Sequence, residues 1–315
     1  HQEARRQRQM CIRDRRSFQQ NSFSMQILPL HPLLAAEIRD FSLDQFEESD
    51  WTQIIESLKK YSVLVFRNQE IDNEAQIRFS ERLGPLETTK VGTDGAGTKL
   101  VFLTNMDSKG ELLPVTSRAI LNNRANQLWH SDSSFKTVPA RATVLRAVKI
   151  PPEQGATEYI SLRALYQSLP EASKAEIANL WGIHDYSNSR TKIDPDLVTE
   201  EEKQALPPVR QPLVLNHGSH GKSLYMGAHL AKIEGVPENT GKALIQQLTE
   251  NTENPSYIYR HHWQVHDVVV WDNLSVMHRA TPFENQKYGR TMIRTAIGCR
   301  EKLHFDTVIG TDGNL

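Results

Sequence analysis

The chain has 315 residues, 38% of them apolar and 24% charged, and its net charge is −1, which is typical of a globular protein with a substantial core. Near-neutral charge gives no indication of a nucleic-acid or membrane partner, and no apolar run reaches the roughly 18 residues that a transmembrane helix needs. The two cysteines, Cys11 and Cys299, cannot form a disulfide framework, which favours a reducing compartment and predicts a cytoplasmic protein.

The first 24 residues differ from the rest of the chain. They contain six arginines against Glu3 and Asp14, a net charge of +4, and they lack the apolar segment of a secretory signal. An organelle presequence would need an apolar helical face, which is weak here. We therefore predict a disordered or non-native extension over residues 1–24 and a single domain over residues 25–315.

From Met25 onwards the pattern predicts more strands than helices. Apolar residues at helical spacing predict a helix within Asp44–Tyr61, SVLVF (62–66) predicts a buried strand, and residues 72–84 predict a short helix. The other predicted elements are strands at 100–105, 140–150, 156–162, 212–216, 223–227, 266–273 and 290–299, and helical regions near 163–181 and 237–253.

This order does not alternate strands with helices, which argues against a Rossmann or TIM-barrel architecture. There is no internal repeat and no linker long enough to divide the chain. The sequence predicts a mainly β fold with surrounding helices, built on a double-stranded β-helix (jelly-roll) core.

The segment LWHSDSSF (128–135) places His130 two residues before Asp132. In an extended segment the two side chains share a face, and a second histidine would complete the two-His, one-carboxylate set that is typical of non-heme Fe(II) oxygenases. A hydrogen-bonded turn pair is the alternative, since so short a motif recurs by chance. His278 is a candidate third ligand, because VVVWDNLSVMHRATPF (268–283) predicts a strand that turns and returns through this histidine.

Two arginines follow in GRTMIRTAI (289–297). Arg290 and Arg294 stand four residues apart, so in an extended strand both can face one cavity. Buried arginines need anionic partners, which could be bound ligands or local acidic side chains.

Taken together, LWHSDSSF, GATEY (155–159), VVVWDNLSVMHRATPF and RTMIR (290–294) resemble the TauD/TfdA family of Fe(II)- and 2-oxoglutarate-dependent dioxygenases. The resemblance begins at LHPLLAAEIRDFSL (30–43) and covers nearly the whole chain after Met25. The segments NQLWHSDSSF, PPVRQPLVLNHGSHGKSLYMGAHL and YRHHW are more similar to the 2,4-dichlorophenoxyacetate branch than to the taurine branch.

The resemblance implies an iron site and a cosubstrate site. It makes His130, Asp132 and His278 the ligands of Fe(II), and it makes Thr157 and Arg290 the partners of the distal carboxylate of 2-oxoglutarate. Arg290 lies one residue further from His278 than is usual in the family, and an extra residue in the turn ENQKYG (284–289) would absorb the difference.

On the substrate side, the resemblance implies that Arg294 grips an anionic group and that Asn126 and Lys90 lie near the substrate. For Lys90 a solvated loop lysine is the alternative reading.

The implied reaction is hydroxylation of a small anionic substrate with O2, releasing succinate and CO2. A carboxylate is expected, and an aryloxyalkanoate would lose its ether bond after hydroxylation. A sulfonate or sulfate substrate is an alternative, as is a non-catalytic jelly-roll protein that binds metal. The expected partner is a small organic anion, without nucleic acid or membrane, and the chain is expected to form a homo-oligomer.

Overall fold

The computed structural model describes residues 25–89 and 97–310. The predictions for residues 1–24 and for Lys90 concern positions outside these ranges. Within them, no helix combines the length and the apolar character needed to cross a lipid bilayer.

The described residues form fifteen strands and eight helices. The strands, in chain order, are β1 (Gln26–Pro29), β2 (Ala36–Arg39), β3 (Val63–Phe66), β4 (Val101–Thr104), β5 (Ala140–Lys149), β6 (Thr157–Ser161), β7 (Trp181–His184), β8 (Val209–Pro212), β9 (Val214–Asn216), β10 (Lys222–Leu224), β11 (Leu230–Ile233), β12 (Ile258–His261), β13 (Val268–Asp272), β14 (Val276–Ala280) and β15 (Thr291–Gly298). The helices are α1 (Glu48–Tyr61), α2 (Asn73–Leu83), α3 (Arg118–Ala125), α4 (Leu162–Ser168), α5 (Glu171–Ile177), α6 (Tyr186–Arg190), α7 (Glu200–Ala205) and α8 (Glu238–Thr249).

The larger sheet has the strand order β1-β2-β3-β13-β5-β15-β4. Only the β2–β3 pair in this sheet is parallel. Three smaller sheets, β12-β6-β14, β11-β7-β8 and β9-β10, complete the β structure of the described chain. The result is a mainly β arrangement with helices outside it, as predicted.

The buried strand β13 shows how the layers pack. Val268 and Val270 pack with residues of α1 and α2, whereas Val269 and Trp271 pack on the other face with residues of β6 and β14. A strand that is covered on both faces has apolar residues at consecutive positions, which explains the VVVW sequence. The second face is the interior of the jelly roll, and the candidate site lies at its open end.

The two predicted N-terminal helices are confirmed. The buried residues of α1 include Trp51, Ile54, Ile55 and Leu58, the apolar positions of the predicted helical stripe. Helix α2 begins after Asp72, whose carboxylate accepts a hydrogen bond from the N–H of Ala75 (2.7 Å), and it ends at Gly84.

The helical region predicted near 163–181 is divided in the structure. Pro170 separates α4 from α5, since proline lacks the N–H that a continuous helix would use, and the region ends in strand β7. The strand predicted at 212–216 is likewise two strands, β8 and β9. Several short elements were not predicted, namely β1, β2, β7, β11, β12, α3, α6 and α7.

Candidate active site

Backbone pairing brings His130 and His278 together. His278 lies in β14, and the N–H of each residue donates to the carbonyl oxygen of the other, at 3.1 Å from His130 and 2.9 Å from His278. The two residues therefore stand directly opposite each other as a hydrogen-bonded antiparallel pair. Their imidazole rings lie 4.2 Å apart between centroids.

The turn between β13 and β14 positions Asp132. The side-chain oxygen of Asn273 accepts hydrogen bonds from the N–H of Asp132 (3.2 Å) and from the indole N–H of Trp271 (2.9 Å). The Asn273 amide donates to the hydroxyl of Thr143 (2.9 Å), which donates in turn to Asp132 Oδ2 (2.8 Å). Each polar group of this buried network has a partner, so the carboxylate orientation is well fixed.

His130, Asp132 and His278 could hold a metal ion. All three are buried, and one ligand atom from each lies within 4.8 Å of the others. His130 Nδ1 is 2.7 Å from the carbonyl oxygen of Leu128, which assigns the proton to Nδ1 and leaves Nε2 as the ligand atom. His278 Nε2 lies 3.7 Å from Asp132 Oδ2.

The ionisation states of these groups suit a divalent cation. Burial lowers the pKa of His130, and burial together with the neighbouring His130 lowers the pKa of His278 to about 3. Burial alone would raise the pKa of Asp132, but Arg294 and the two imidazoles outweigh it and hold that pKa well below its usual range. Neutral imidazoles and an ionised carboxylate are the forms that bind metal.

Arg294, on β15, is bound to this carboxylate. Its Nη1 donates to Asp132 Oδ1 at 2.6 Å, while its Nε is buried without a hydrogen-bond partner among the described residues. For the two arginines the sequence left open a bound ligand or a local acidic side chain as the partner. Arg294 has a local acidic partner, Asp132. The guanidinium also lines both cavities beside the triad, so part of it remains free to meet a ligand.

The smaller cavity, of about 80 Å³, is lined by His278, Trp271, Thr157 and Arg290, among others. Thr157 Oγ1 accepts a hydrogen bond from the indole N–H of Trp263 (2.9 Å). The hydroxyl hydrogen of Thr157 is therefore available to donate elsewhere.

Arg290 is a partly buried cation with no acidic partner in the described parts of the chain. Its Nη2 makes one long hydrogen bond to the carbonyl oxygen of Gly155 (3.4 Å), and its Nε has no partner there. Burial lowers the pKa of Arg290 to about 10. A guanidinium in this state favours binding of a carboxylate.

The turn before Arg290 is tied to Asn105. The Asn105 amide donates to the carbonyl oxygens of Asn285 and Tyr288 (both 2.8 Å), and its side-chain oxygen accepts the N–H of Arg290 (2.7 Å). This anchoring holds the ENQKYG turn, where the additional residue was predicted, and fixes where Arg290 leaves it.

The larger cavity, of about 360 Å³, is also lined by Asp132 and shares Asn126, His130 and Arg294 with the smaller one. Its walls include the rings of Phe135, Tyr186 and His229. Phe135 lies 4.9 Å from Tyr186 and 4.8 Å from His229 between ring centroids.

The structure thus brings seven of the eight predicted site residues to the two cavities, Lys90 being outside the described ranges. The sequence did not predict two residues that support the site, Asn273 and Trp263. It also did not predict three residues that line the larger cavity, Tyr186, Arg190 and His229. Trp263 and His229 lie within the quoted segments YRHHW and GAHL, which were the available signals. No local pattern marks Tyr186 or Arg190, because they come from a short helix that the sequence did not predict.

Comparison with known proteins identifies the family of this chain. The model of the family described as "Taurine catabolism dioxygenase TauD, TfdA family" matches residues 26–296. The alpha-ketoglutarate-dependent 2,4-dichlorophenoxyacetate dioxygenase of Cupriavidus pinatubonensis is 38% identical over 263 residues, which are 81% of this chain and 92% of the relative. A more distant relative, the alpha-ketoglutarate-dependent sulfate ester dioxygenase of Pseudomonas putida, is 27% identical over 91% of this chain and 93% of its own.

Among solved structures, AAD-2 in complex with Mn(II) and N-oxalylglycine superimposes with a TM-score of 0.81 and 34% identity. The match covers 89% of this chain and 99% of that chain. This similarity confirms the predicted fold class.

Proposed function

This chain belongs to the TauD/TfdA family of dioxygenases, and from that premise we propose that it hydroxylates a small carboxylate of the aryloxyalkanoate class. The enzyme is an Fe(II)- and 2-oxoglutarate-dependent dioxygenase that uses O2 and acts on a small molecule. One observation carries the proposal: the members of a buried His-Asp-His set line two cavities, with Arg290 in the smaller one and Arg294 in both.

We assign the metal to His130, Asp132 and His278. Bound Fe(II), with 2-oxoglutarate and O2, would supply the oxidation that converts a C–H bond of the substrate to C–OH, with release of succinate and CO2. The chain's own contribution is to hold the three ligand side chains in the ionisation states that bind metal and to exclude water from their surroundings. The Asn273–Thr143 network performs the first task for the carboxylate.

The smaller cavity is assigned to 2-oxoglutarate. Arg290 would form a two-point contact with the distal carboxylate, and Thr157 would donate its hydroxyl hydrogen to the same group. Support comes from the missing counter-ion of Arg290 and from the indole N–H that already occupies an acceptor position of the Thr157 hydroxyl.

The larger cavity is assigned to the substrate. Arg294 would keep Nη1 on Asp132 and present other N–H groups to the substrate anion, with Asn126 beside it. The volume, about 360 Å³, falls within the range of about 300–1,000 Å³ that is usual for small-molecule sites. Lys90 remains a predicted substrate-side residue.

The aromatic walls support an aryl substrate. Phe135 and Tyr186 offer ring surfaces on which an aryl group can pack. Hydroxylation of the carbon beside an aryl ether oxygen would give a hemiacetal, which breaks down to a phenol and an oxo acid. The net reaction would be cleavage of the ether.

A sulfate ester is the second candidate substrate, because Arg294 can bind either anion and a sulfate ester dioxygenase is among the relatives. The non-catalytic alternative is set aside, since the chain belongs to a family of enzymes.

The test compares two probes with the same aryl group, 2,4-dichlorophenoxyacetate and 2-(2,4-dichlorophenoxy)ethyl sulfate. With Fe(II), ascorbate and 2-oxoglutarate, we expect the carboxylate to stimulate succinate formation and to release 2,4-dichlorophenol in equal amount. Faster turnover of the sulfate would favour the second candidate. Succinate formation that neither anion stimulates would contradict both.

We further propose that residues 25–315 form one catalytic unit, that this unit works as a homo-oligomer in the cytoplasm, and that residues 1–24 play no part in it. The support is the family match over residues 26–296 and the free thiol of Cys299. Light scattering measures the oligomeric state. Deletion of residues 1–24 should leave turnover and melting temperature unchanged.

A further inference from the structure

We propose that Arg190 is a second anion-binding residue of the larger cavity and that it makes a negative charge on the substrate a requirement. The inference rests on the proposed function, because it concerns the substrate of the same site. Arg190 is the last residue of α6 and lines the larger cavity, where Arg294 arrives from a different element, β15.

The position of Arg190 is fixed by its helix. Asp185 caps the start of α6 by accepting the N–H of Ser187 (2.8 Å). The Asn188 amide donates to the carbonyl oxygens of Ala228 (2.8 Å) and Leu230 (3.2 Å), on either side of His229. Helix α6 is therefore attached to the segment that supplies another wall of the cavity.

A row of rings connects Arg190 to the candidate metal site. The guanidinium carbon lies 4.9 Å from the centre of the Tyr186 ring. Tyr186 stacks near His229 at 6.5 Å, and His229 meets His130 edge-on at 6.3 Å, both between ring centroids. Arg190 is thus part of the wall that faces the metal ligands.

The charges around the cavity single out Arg190. Among the described residues, five lysine and arginine side chains line it, and four of them have an acidic partner: Lys99 with Glu81, Arg118 with Glu202, Lys136 with Glu87, and Arg294 with Asp132. Arg190 forms no ion pair within residues 25–89 and 97–310. Its charge faces the cavity without a neutralising group, which disfavours the empty state and favours an anion there.

The guanidinium also has unused donors. Nη1 makes a long hydrogen bond to the hydroxyl of Ser189 (3.3 Å), and Nε is buried with no partner. Stacking on Tyr186 restricts the plane of the fork, so little further ordering is needed when it binds an anion. A neutral substrate would leave the buried Nε of Arg190 unpaired, which carries a desolvation cost that an anion avoids.

The test uses Arg190→Gln and Arg190→Lys, with Arg78→Gln as the matched control, because Arg78 is paired with Asp44 (2.7 Å) and lines neither cavity. Apparent constants for 2,4-dichlorophenoxyacetate and for 2-oxoglutarate are measured by succinate formation. Direct binding of the same acid to the Mn(II)- and 2-oxoglutarate-loaded protein without O2 gives a readout that does not depend on turnover.

We expect Arg190→Gln to weaken binding of the acid about 10- to 100-fold, the range for a charge-assisted hydrogen bond lost from a desolvated site. The 2-oxoglutarate constant should change less than about twofold, and lysine should restore part of the loss because it keeps the charge but not the fork. Arg78→Gln should behave as the parent.

A neutral analogue separates recognition from structural damage. The parent should prefer the acid to 2,4-dichlorophenoxyacetamide, and Arg190→Gln should reduce that preference by the same factor as it weakens acid binding. An unchanged acid constant, or equal losses for acid and amide, would overturn the inference while leaving the proposed function intact. If the acid fails, the same variants are compared on 2-(2,4-dichlorophenoxy)ethyl sulfate, and a parent that accepts neither anion removes both proposals.

Discussion

The two cavities beside the triad are built in different ways. The smaller one combines strand residues, among them Leu145 on β5, Thr157 on β6 and Trp271 on β13, with residues of α3 and of the turn before Arg290. The larger one also uses residues of β4 and β15, but unlike the smaller one it takes Tyr186 and Arg190 from the short helix α6 and Phe135 and His229 from loops. Strand pairing fixes the register of each strand residue in the sheet. Residues at helix ends and in loops can be substituted without disturbing that register. We infer that the first cavity sets the reaction and the second sets the substrate.

Loss of one of the three metal ligands should abolish the reaction, whatever binds in either cavity. His278→Ala should abolish 2-oxoglutarate turnover and weaken Fe(II) binding with little change in melting temperature, since the remaining two ligands have no replacement nearby. Iron binding, succinate formation and thermal unfolding are the measurements. The exposed His262 supplies the control, because His262→Ala should behave as the parent. Full turnover by His278→Ala would refute the assigned metal site.

Arg290→Ala should damage the smaller cavity alone. A desolvated two-point carboxylate contact is worth about 2–4 kcal/mol, so the apparent 2-oxoglutarate constant should rise roughly 30- to 1,000-fold. The substrate constant, measured at saturating 2-oxoglutarate, should stay close to that of the parent. Equal 2-oxoglutarate constants in variant and parent would mean that another cation holds the distal carboxylate.

Arg294→Ala should produce the opposite pattern, with a smaller effect. We expect the substrate constant to rise about 10- to 100-fold, since one charged donor is lost from a desolvated anion site, and the 2-oxoglutarate constant to change little. Parallel loss of both affinities would show that Arg294 serves Asp132 rather than the substrate.

Trp263→Phe should give the smallest effect and should confine it to 2-oxoglutarate. The ring would keep its edge-on contact with His261 (4.4 Å between centroids), but the donor to Thr157 would be lost. One hydrogen bond is worth about 0.5–1.5 kcal/mol, so the 2-oxoglutarate constant should rise roughly 2- to 10-fold. In a double-mutant cycle, the change should add nothing once Thr157 is alanine. Full additivity would show that Trp263 does not act through Thr157.

The sequence predicted the sheet-built part of the molecule well. The continuous valines of β13, the stripe of α1 and the cap of α2 each encode their element locally. The spacing of Arg290 and Arg294 predicted that both would reach one cavity, and both line the smaller one. The family and the enzyme class, inferred from four short segments, are also confirmed.

The remainder depends on contacts that only the folded chain creates. Asn273 accepts a hydrogen bond from the N–H of Asp132, 141 residues away in the sequence, and no local pattern near either residue predicts this contact. The edge strands β1 and β2 have four residues each, too few for a clear alternation. Helix α6 is five residues long, so the position of Arg190 could not be inferred from periodicity.

The backbone pairing of His130 with His278 also bears on how the protein acquires its metal. The two residues lie on segments distant in the chain, and their hydrogen bonds form only when the β-helix closes. Closing so long a loop costs conformational entropy that local contacts cannot offset, and such pairings tend to form late in folding. An unfolded or half-folded chain therefore offers iron no preassembled site. The site should therefore bind metal tightly only once the fold is complete. Bound metal should in turn stabilise the folded state, because it binds that state in preference to the unfolded chain.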